Sequence, residues 1–191
     1  MRYSVFLTVV VFLLAVSCQS AASPERVPNL ASVQAAAAEV GQEGLLFGKH
    51  ADRPVPVASI TKLMTALVVV ESGQDMDEWL TFEKRHVEAA ANAWSRIRVG
   101  SQLRRRDVLR IALMSSENFA AYTLARTYPG GFDGFVAEMN AKAKALGMLQ
   151  TRFVDPTGLS TGNVSTAADL VILARAALKH PEIREASTTG Y

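Results

Sequence analysis

From Ser59 the chain runs Ser-Ile-Thr-Lys-Leu-Met-Thr-Ala-Leu-Val-Val-Val-Glu-Ser-Gly, and no other stretch limits the fold so tightly. Ile60, Leu63, Met64, Leu67, Val68 and Val70 recur at helical spacing, which predicts a helix ending near Ser72-Gly73. Its apolar residues occupy nearly every face. A helix of that kind must be surrounded by other elements, so it belongs at the centre of a core. The rest of the chain has to supply the walls, and 49% hydrophobic residues in 191 allow one ordinary globular domain.

The walls are mostly helical. Val108, Leu109, Ile111, Ala112 and Leu113 predict a second helix, broken at Ser115-Ser116. Phe119 to Tyr128 reads as a third, stopped by Pro129-Gly130-Gly131. Phe135, Met139 and Leu146 mark a fourth, with Gly147 as its C-terminal cap. Thr166 and Asp169 stand in capping-box relation ahead of Leu170, Ile172 and Leu173, a fifth. Strand signals occur only at the N-terminal end, where Leu45-Leu46-Phe47 fits a short buried strand. Ala31 to Val40 stays ambiguous between helix, by alanine propensity, and strand. Pro54 and Pro56 force residues 52–58 to be extended or turning. The expected class is α/β (α+β), with a sheet completed by strands lying beyond residue 191.

Residues 1–22 read as a secretory leader. Arg2 gives a minimal positive region, and Val5 to Val16 is almost purely apolar but too short to span a bilayer. Two processing routes compete. Ser20-Ala21-Ala22 offers small residues for ordinary cleavage, which would leave 1–22 as signal peptide. Leu14-Ala15-Val16-Ser17-Cys18 resembles a bacterial lipobox, in which Cys18 would be lipidated and anchor the protein to a membrane. Residues 23–30 then form a linker, and 31–191 the domain. Cys18 is the only cysteine, so the domain holds no disulfide and no thiol nucleophile, and its stability must come from the core. The expected location is the periplasm.

A formal net charge of +2 calls for no nucleic-acid partner. The densest basic run, Arg104-Arg105-Arg106, reads as a solvated face. His50, His86 and His180 are scattered without metal-ligand spacing, so neither a metal nor another cofactor is expected, and each reads as a surface histidine. Trp79 and Trp94 read as packing or cleft-rim aromatics.

Two local patterns can carry chemistry. In Ala58-Ser59-Ile60-Thr61-Lys62, the hydroxyl of Ser59 sits where an extended segment enters the apolar helix, facing the positive end of its dipole. Lys62 lies about one turn on, on the same face. A serine hydroxyl is a weak nucleophile unaided, and a lysine in apolar surroundings loses proton affinity and can serve as its base. The plainer reading makes Ser59 an N-cap and Lys62 a solvated first-turn residue. Against it, lysine in a first turn opposes the dipole, and the helix is too apolar to leave a face in water. The second pattern is Ser115-Ser116-Glu117-Asn118, at the break between two helices. A Ser-x-Asn turn can aim a proton-shuttling hydroxyl (Ser116) and an amide (Asn118) into a cleft, although capping alone also favours these residues.

Together, Ala58-Ser-Ile-Thr-Lys-Leu-Met-Thr-Ala66, Leu113-Met-Ser-Ser-Glu-Asn118 and Phe153-Val-Asp-Pro-Thr-Gly-Leu159 resemble the low-molecular-mass penicillin-binding proteins, the serine D-alanyl-D-alanine carboxypeptidases and endopeptidases. Pro129-Gly130-Gly131, Asn140 and Asn163-Val-Ser-Thr-Ala-Ala-Asp169 suggest the penicillin-binding protein 7-like DD-endopeptidase branch. The resemblance implies a β-lactamase/transpeptidase-like fold. It implies that Ser59 attacks a D-alanyl peptide bond and carries the acyl group, and that Lys62 takes its proton. Ser116 would pass that proton to the leaving amine, and Asn118 would hold the substrate amide. Peptidoglycan peptides would be the substrates and β-lactam antibiotics the inhibitors. Phe153–Leu159 receives no catalytic role.

The sequence departs from the family at its third motif, Lys-Thr-Gly, which does not occur in 191 residues. Thr157-Gly158, Thr161-Gly162 and Thr189-Gly190 follow Pro156, Ser160 and Thr188, so none supplies the cation. By the resemblance, that strand holds the substrate carboxylate and provides an oxyanion-hole N–H beside that of Ser59. Losing one such donor costs on the order of 3 kcal/mol of transition-state stabilisation. The expectation is an impaired, truncated copy whose helices leave apolar faces and a strand edge uncovered. Two other readings stand beside it: a non-catalytic exported lipoprotein or pseudo-enzyme, and a β-lactamase. The second is disfavoured because Asp155-Pro156-Thr157 stands where a deacylating glutamate is needed.

Overall fold

The computed structural model describes residues 29–86 and 94–188. The leader, Cys18, most of the linker and the Thr189-Gly190 pair lie outside the described residues.

The apolar helix of the sequence is α1 (Thr61–Glu71), entered through a 3-10 turn at Ala58–Ile60. It is the hub of the molecule. Helices α2 (Arg105–Met114), α3 (Asn118–Arg126), α4 (Gly131–Ala145), α5 (Ala167–Ala177) and α6 (Pro181–Thr188) all pack against it. Met64, Leu67 and Val69 are wholly buried there, and each such side chain contributes about 1.5–3 kcal/mol by leaving water. Phe82, Leu109, Leu124, Phe135 and Leu173 close the core around them.

Helix ends follow the sequence with one exception. Gly147 sits at φ 83, beyond the last turn of α4, a left-handed conformation glycine adopts without strain. Thr166 caps α5 by accepting from the Asp169 N–H at 3.0 Å. Asp169 does not complete the capping box. Its carboxylate instead accepts from the Gln150 N–H and the Thr151 hydroxyl, tying α5 to the segment after α4. Helix α6 was not foreseen; its start at Pro181 fits the preference of proline for a first helical turn.

The alanine run resolves as strand. β1 (Ala35–Ala37) pairs antiparallel with β2 (Phe47–Lys49), because pairing and the packing of α5 over β1 outweigh alanine's helical preference. The expectation that strands occur only near the N-terminus fails. β3 (Val55–Pro56) pairs with β6 (Val164–Ser165), and β4 (Trp79–Thr81) with β5 (Gln102–Arg104), both antiparallel. These strands are two or three residues long, too short for a period-two pattern to emerge. Val40 and Leu46, in the β1–β2 connection, are exposed.

The basic run also needs correction. Arg105 is 0% exposed. It donates to the Asp75 carbonyl and the Gln74 side-chain oxygen and pairs with Glu78, holding the start of α2 to the 74–78 loop. Arg104 and Arg106 are the solvated members, both paired with Asp77.

Candidate active site

Ser59 lies in the 3-10 turn and Lys62 one turn later, in the first turn of α1. The Lys62 ammonium donates to the Ser59 hydroxyl at 3.1 Å. Neither terminus of the turn–helix junction carries a side-chain cap, so Ser59 is not spent as an N-cap. Lys62 is 2% exposed, which removes the plainer reading of a solvated lysine. Burial pulls its pKa down to about 8, against the opposing charges of Asp155 and Glu117.

What buries Lys62 is a loop of residues 153–163. Its ends are clasped by paired backbone hydrogen bonds between Arg152 and Val164, both 2.9 Å. Asn140 of α4 grips the N–H and carbonyl of Phe153 at the loop's entrance, at 2.9 and 2.8 Å. Within the loop, the Asp155 carboxylate accepts from the N–H groups of Thr157, Gly158 and Ser160 and from the Thr157 hydroxyl. The loop is stitched to one face of α1. Lys62 donates to the Thr157 carbonyl at 2.7 Å, and Thr65, three residues on, donates to the Pro156 carbonyl at 2.7 Å. Gly158 (φ +84) rests directly on the Ala58–Ser59 peptide, where a Cβ would stand 1.9 Å from the Ala58 carbonyl oxygen.

The second predicted pattern forms the corner between α2 and α3. Ser116 is exposed and left-handed, at φ 53, a conformation that costs a non-glycine residue of order 1–3 kcal/mol. Its hydroxyl makes no hydrogen bond with another described residue. Glu117, rather than a serine or asparagine, caps α3 by accepting from the Ala120 N–H at 2.7 Å. The charge of Glu117 acts on Lys62 and opposes the effect of its burial. Asn118 is the first residue of α3, and its side-chain oxygen is buried without a hydrogen-bond partner among the described residues.

The loop's part in this arrangement is not announced by the spacing of Ser59 and Lys62. Asp-Pro-Thr-Gly is a turn signature whose aspartate collects backbone N–H groups, and that signal could have marked Asp155 as the loop's organiser. Nothing in the sequence announces a backbone carbonyl as the partner of Lys62. His50 and His86 are exposed as expected, whereas His180 is half-buried against Glu71. Trp79 and Trp94 are exposed, each with an arginine over its ring.

A family model described as D-alanyl-D-alanine carboxypeptidase matches residues 20–190. The chain belongs to the D-alanyl-D-alanine carboxypeptidase family. Within it, the chain is 46% identical to a D-alanyl-D-alanine endopeptidase of Pseudomonas aeruginosa, over 96% of this chain and 62% of that one. It is 45% identical to a D-alanyl-D-alanine endopeptidase of Escherichia coli, over 92% and 56%. Among solved structures of the family it superposes on a D-alanyl-D-alanine carboxypeptidase of Mycobacterium tuberculosis. The TM-score is 0.79 at 30% identity, covering 89% of this chain and 64% of that one. An ampicillin-bound penicillin-binding protein of Listeria monocytogenes gives a TM-score of 0.72 at 34% identity, over 85% and 68%. The transpeptidase-like fold expected from the resemblance is therefore the observed one. The chain spans about three-fifths of the length of these curated relatives.

Proposed function

We propose that this protein is a serine DD-peptidase that hydrolyses D-alanyl peptide bonds of peptidoglycan through an acyl-enzyme on Ser59. The observation that carries the reading is the buried Lys62 amine, 3.1 Å from the Ser59 hydroxyl, with a pKa of about 8. An ordinary lysine near 10.4 is almost wholly protonated at neutral pH, so a lowered value raises the fraction able to accept a proton.

The Ser59 oxygen attacks the carbonyl carbon of the scissile bond while its proton passes to the neutral Lys62 amine. The tetrahedral oxyanion collapses, the C–N bond breaks, and the leaving amine takes a proton through the Ser116 hydroxyl. An ester between Ser59 and the acyl-D-alanyl peptide remains. Water then adds to that ester, gives its proton to the base, and releases the carboxylate with Ser59 restored. Asn118, whose side-chain oxygen lacks a partner among the described residues, receives a substrate N–H, because an unpartnered buried acceptor costs about 1–3 kcal/mol until a donor arrives.

β-Lactams are inhibitors on this reading, trapping Ser59 as a stable ester. Asp155 is an unsuitable water-activating base, since its carboxylate already accepts four hydrogen bonds within its own turn. That favours a peptidase over a β-lactamase. Export to the periplasm, with Cys18 lipidated or the leader removed, completes the proposal.

The test is digestion of cross-linked muropeptides and of D-alanyl-D-alanine-terminated pentapeptide. Cleavage of either, lost in Ser59→Ala, supports the proposal. Binding without cleavage indicates a pseudo-enzyme, and rapid benzylpenicillin turnover indicates a β-lactamase; both contradict it.

A further inference from the structure

We propose that Asp155 is a positioning residue for the Ser59–Lys62 pair: it folds residues 155–160 so that the Thr157 carbonyl fixes the direction of the Lys62 amine and Gly158 braces the peptide of Ser59. The inference rests on the peptidase reading above and assigns a role to a loop that reading does not use.

A neutral lysine amine has two N–H bonds and one lone pair, and to act as a base it must aim the lone pair at the serine proton. A carbonyl oxygen only accepts. The Thr157 carbonyl, 2.7 Å from Nζ, therefore consumes an N–H in either protonation state and never competes for the lone pair. With one N–H anchored there and the side chain buried, rotation about the last bond of Lys62 is restricted, which holds the lone pair of the neutral amine toward the Ser59 hydroxyl at 3.1 Å. Such restriction is how oriented groups gain rate over freely rotating ones.

The carbonyl keeps its direction because of Asp155. One carboxylate oxygen accepts from the Thr157 N–H and hydroxyl at 2.6 Å and from the Gly158 N–H at 2.8 Å. The other accepts from the Ser160 N–H at 2.9 Å. The peptide between Thr157 and Gly158 is thus held at its N–H while its carbonyl faces Lys62. Gly158 in turn lies against the Ala58–Ser59 peptide so closely that no side chain fits. One turn therefore sets the base through a carbonyl and the nucleophile through a backbone contact. The charges that act on Lys62 are those of Asp155 from the loop and Glu117 from the cap of α3, and both favour the ammonium.

The test is the pH dependence of Ser59 acylation by benzylpenicillin in the full chain and in Asp155→Asn. Asparagine can still accept the three bonds to one oxygen, but it loses the charge and the bond from Ser160. The expected result is acylation about tenfold slower at its plateau, with the midpoint of the rising limb displaced about one unit to lower pH. A merely structural role predicts the opposite displacement, because a loosened loop admits water and returns Lys62 toward the ordinary lysine value. An unchanged or upward midpoint overturns the proposal. No acylation of the unaltered chain overturns the peptidase reading itself, so the two failures are told apart. The unaltered chain also gives a reading that needs no variant. The Gly158 amide nitrogen, bonded to the Thr157 carbonyl carbon, should titrate by NMR with the midpoint of acylation. A flat Gly158 resonance through that range overturns the proposal even if Asp155→Asn does not fold.

Discussion

The side-chain amide of Asn163 donates to the hydroxyl of Thr61 at 3.0 Å, joining the end of the 153–163 loop to the first residue of the central helix. The same amide donates to the Asp155 carbonyl, and its oxygen accepts from the Val154 and Asp155 N–H groups. Asn163 is wholly buried. Replacing it by alanine leaves two backbone N–H groups and one carbonyl without this partner. We expect Asn163→Ala to lose roughly 3 kcal/mol in urea unfolding, since each orphaned buried group costs about 1–3 kcal/mol.

The arginine run offers a stability contrast within three residues. Arg105 is enclosed by the 74–78 loop, whereas Arg106 meets Asp77 in solvent. Arg105→Ala should cost about 3 kcal/mol, as removal of one member of a buried ionic network does. Arg106→Ala should change stability by less than about 1 kcal/mol. Equal effects in thermal melts would contradict the burial described here.

These two cases also mark how far the sequence could be read. Periodicity found α1 as a buried hub and located α2 to α5, because each offers several apolar residues to one core. It could not separate Arg105 from its neighbours, since burial of a charge depends on carbonyls and carboxylates from a distant loop. Short strands such as β3 and β6 escaped because two residues have no period. The spacing of Ser59 and Lys62 put their side chains within hydrogen-bond reach, as they are, and the break in the apolar pattern put Ser116 and Asn118 at the corner between α2 and α3. Thr157 was not, because its contribution is a backbone carbonyl that any residue type carries.

At the α2–α3 corner, Ser116→Gly isolates the hydroxyl. Glycine accepts the left-handed φ of 53 without strain, so the fold is retained while the proton path is cut. We expect hydrolysis of a D-alanyl-D-alanine peptide to fall by roughly 10² or more, the usual yield of positioned acid–base catalysis, with the melting temperature unchanged or raised. Undiminished turnover in Ser116→Gly would remove Ser116 from the mechanism.

Gly158→Ala probes the brace on the Ala58–Ser59 peptide. Its Cβ would meet the backbone carbonyl of Ala58 at 1.9 Å, and backbone at that junction cannot swing away as a long side chain can. The variant should lose at least about 2 kcal/mol and acylate more slowly than any change in its melting accounts for. The comparison is made below the melting temperature, with the folded fraction measured by circular dichroism.

On the peptidase proposal, a buried, partly neutral Lys62 makes Ser59 a nucleophile. The most direct measurement is mass spectrometry of the chain after exposure to benzylpenicillin at a series of pH values, with peptide mapping of the adduct. We expect a one-to-one adduct on Ser59 whose rate of formation climbs as pH rises through about 8 and then levels, as Lys62 gives up its proton. In Lys62→Met the adduct should form roughly a hundredfold more slowly on the plateau above about pH 8, and the climb through that range should be lost. An adduct on another residue, or Lys62→Met reacting as fast as the unaltered chain, would contradict it.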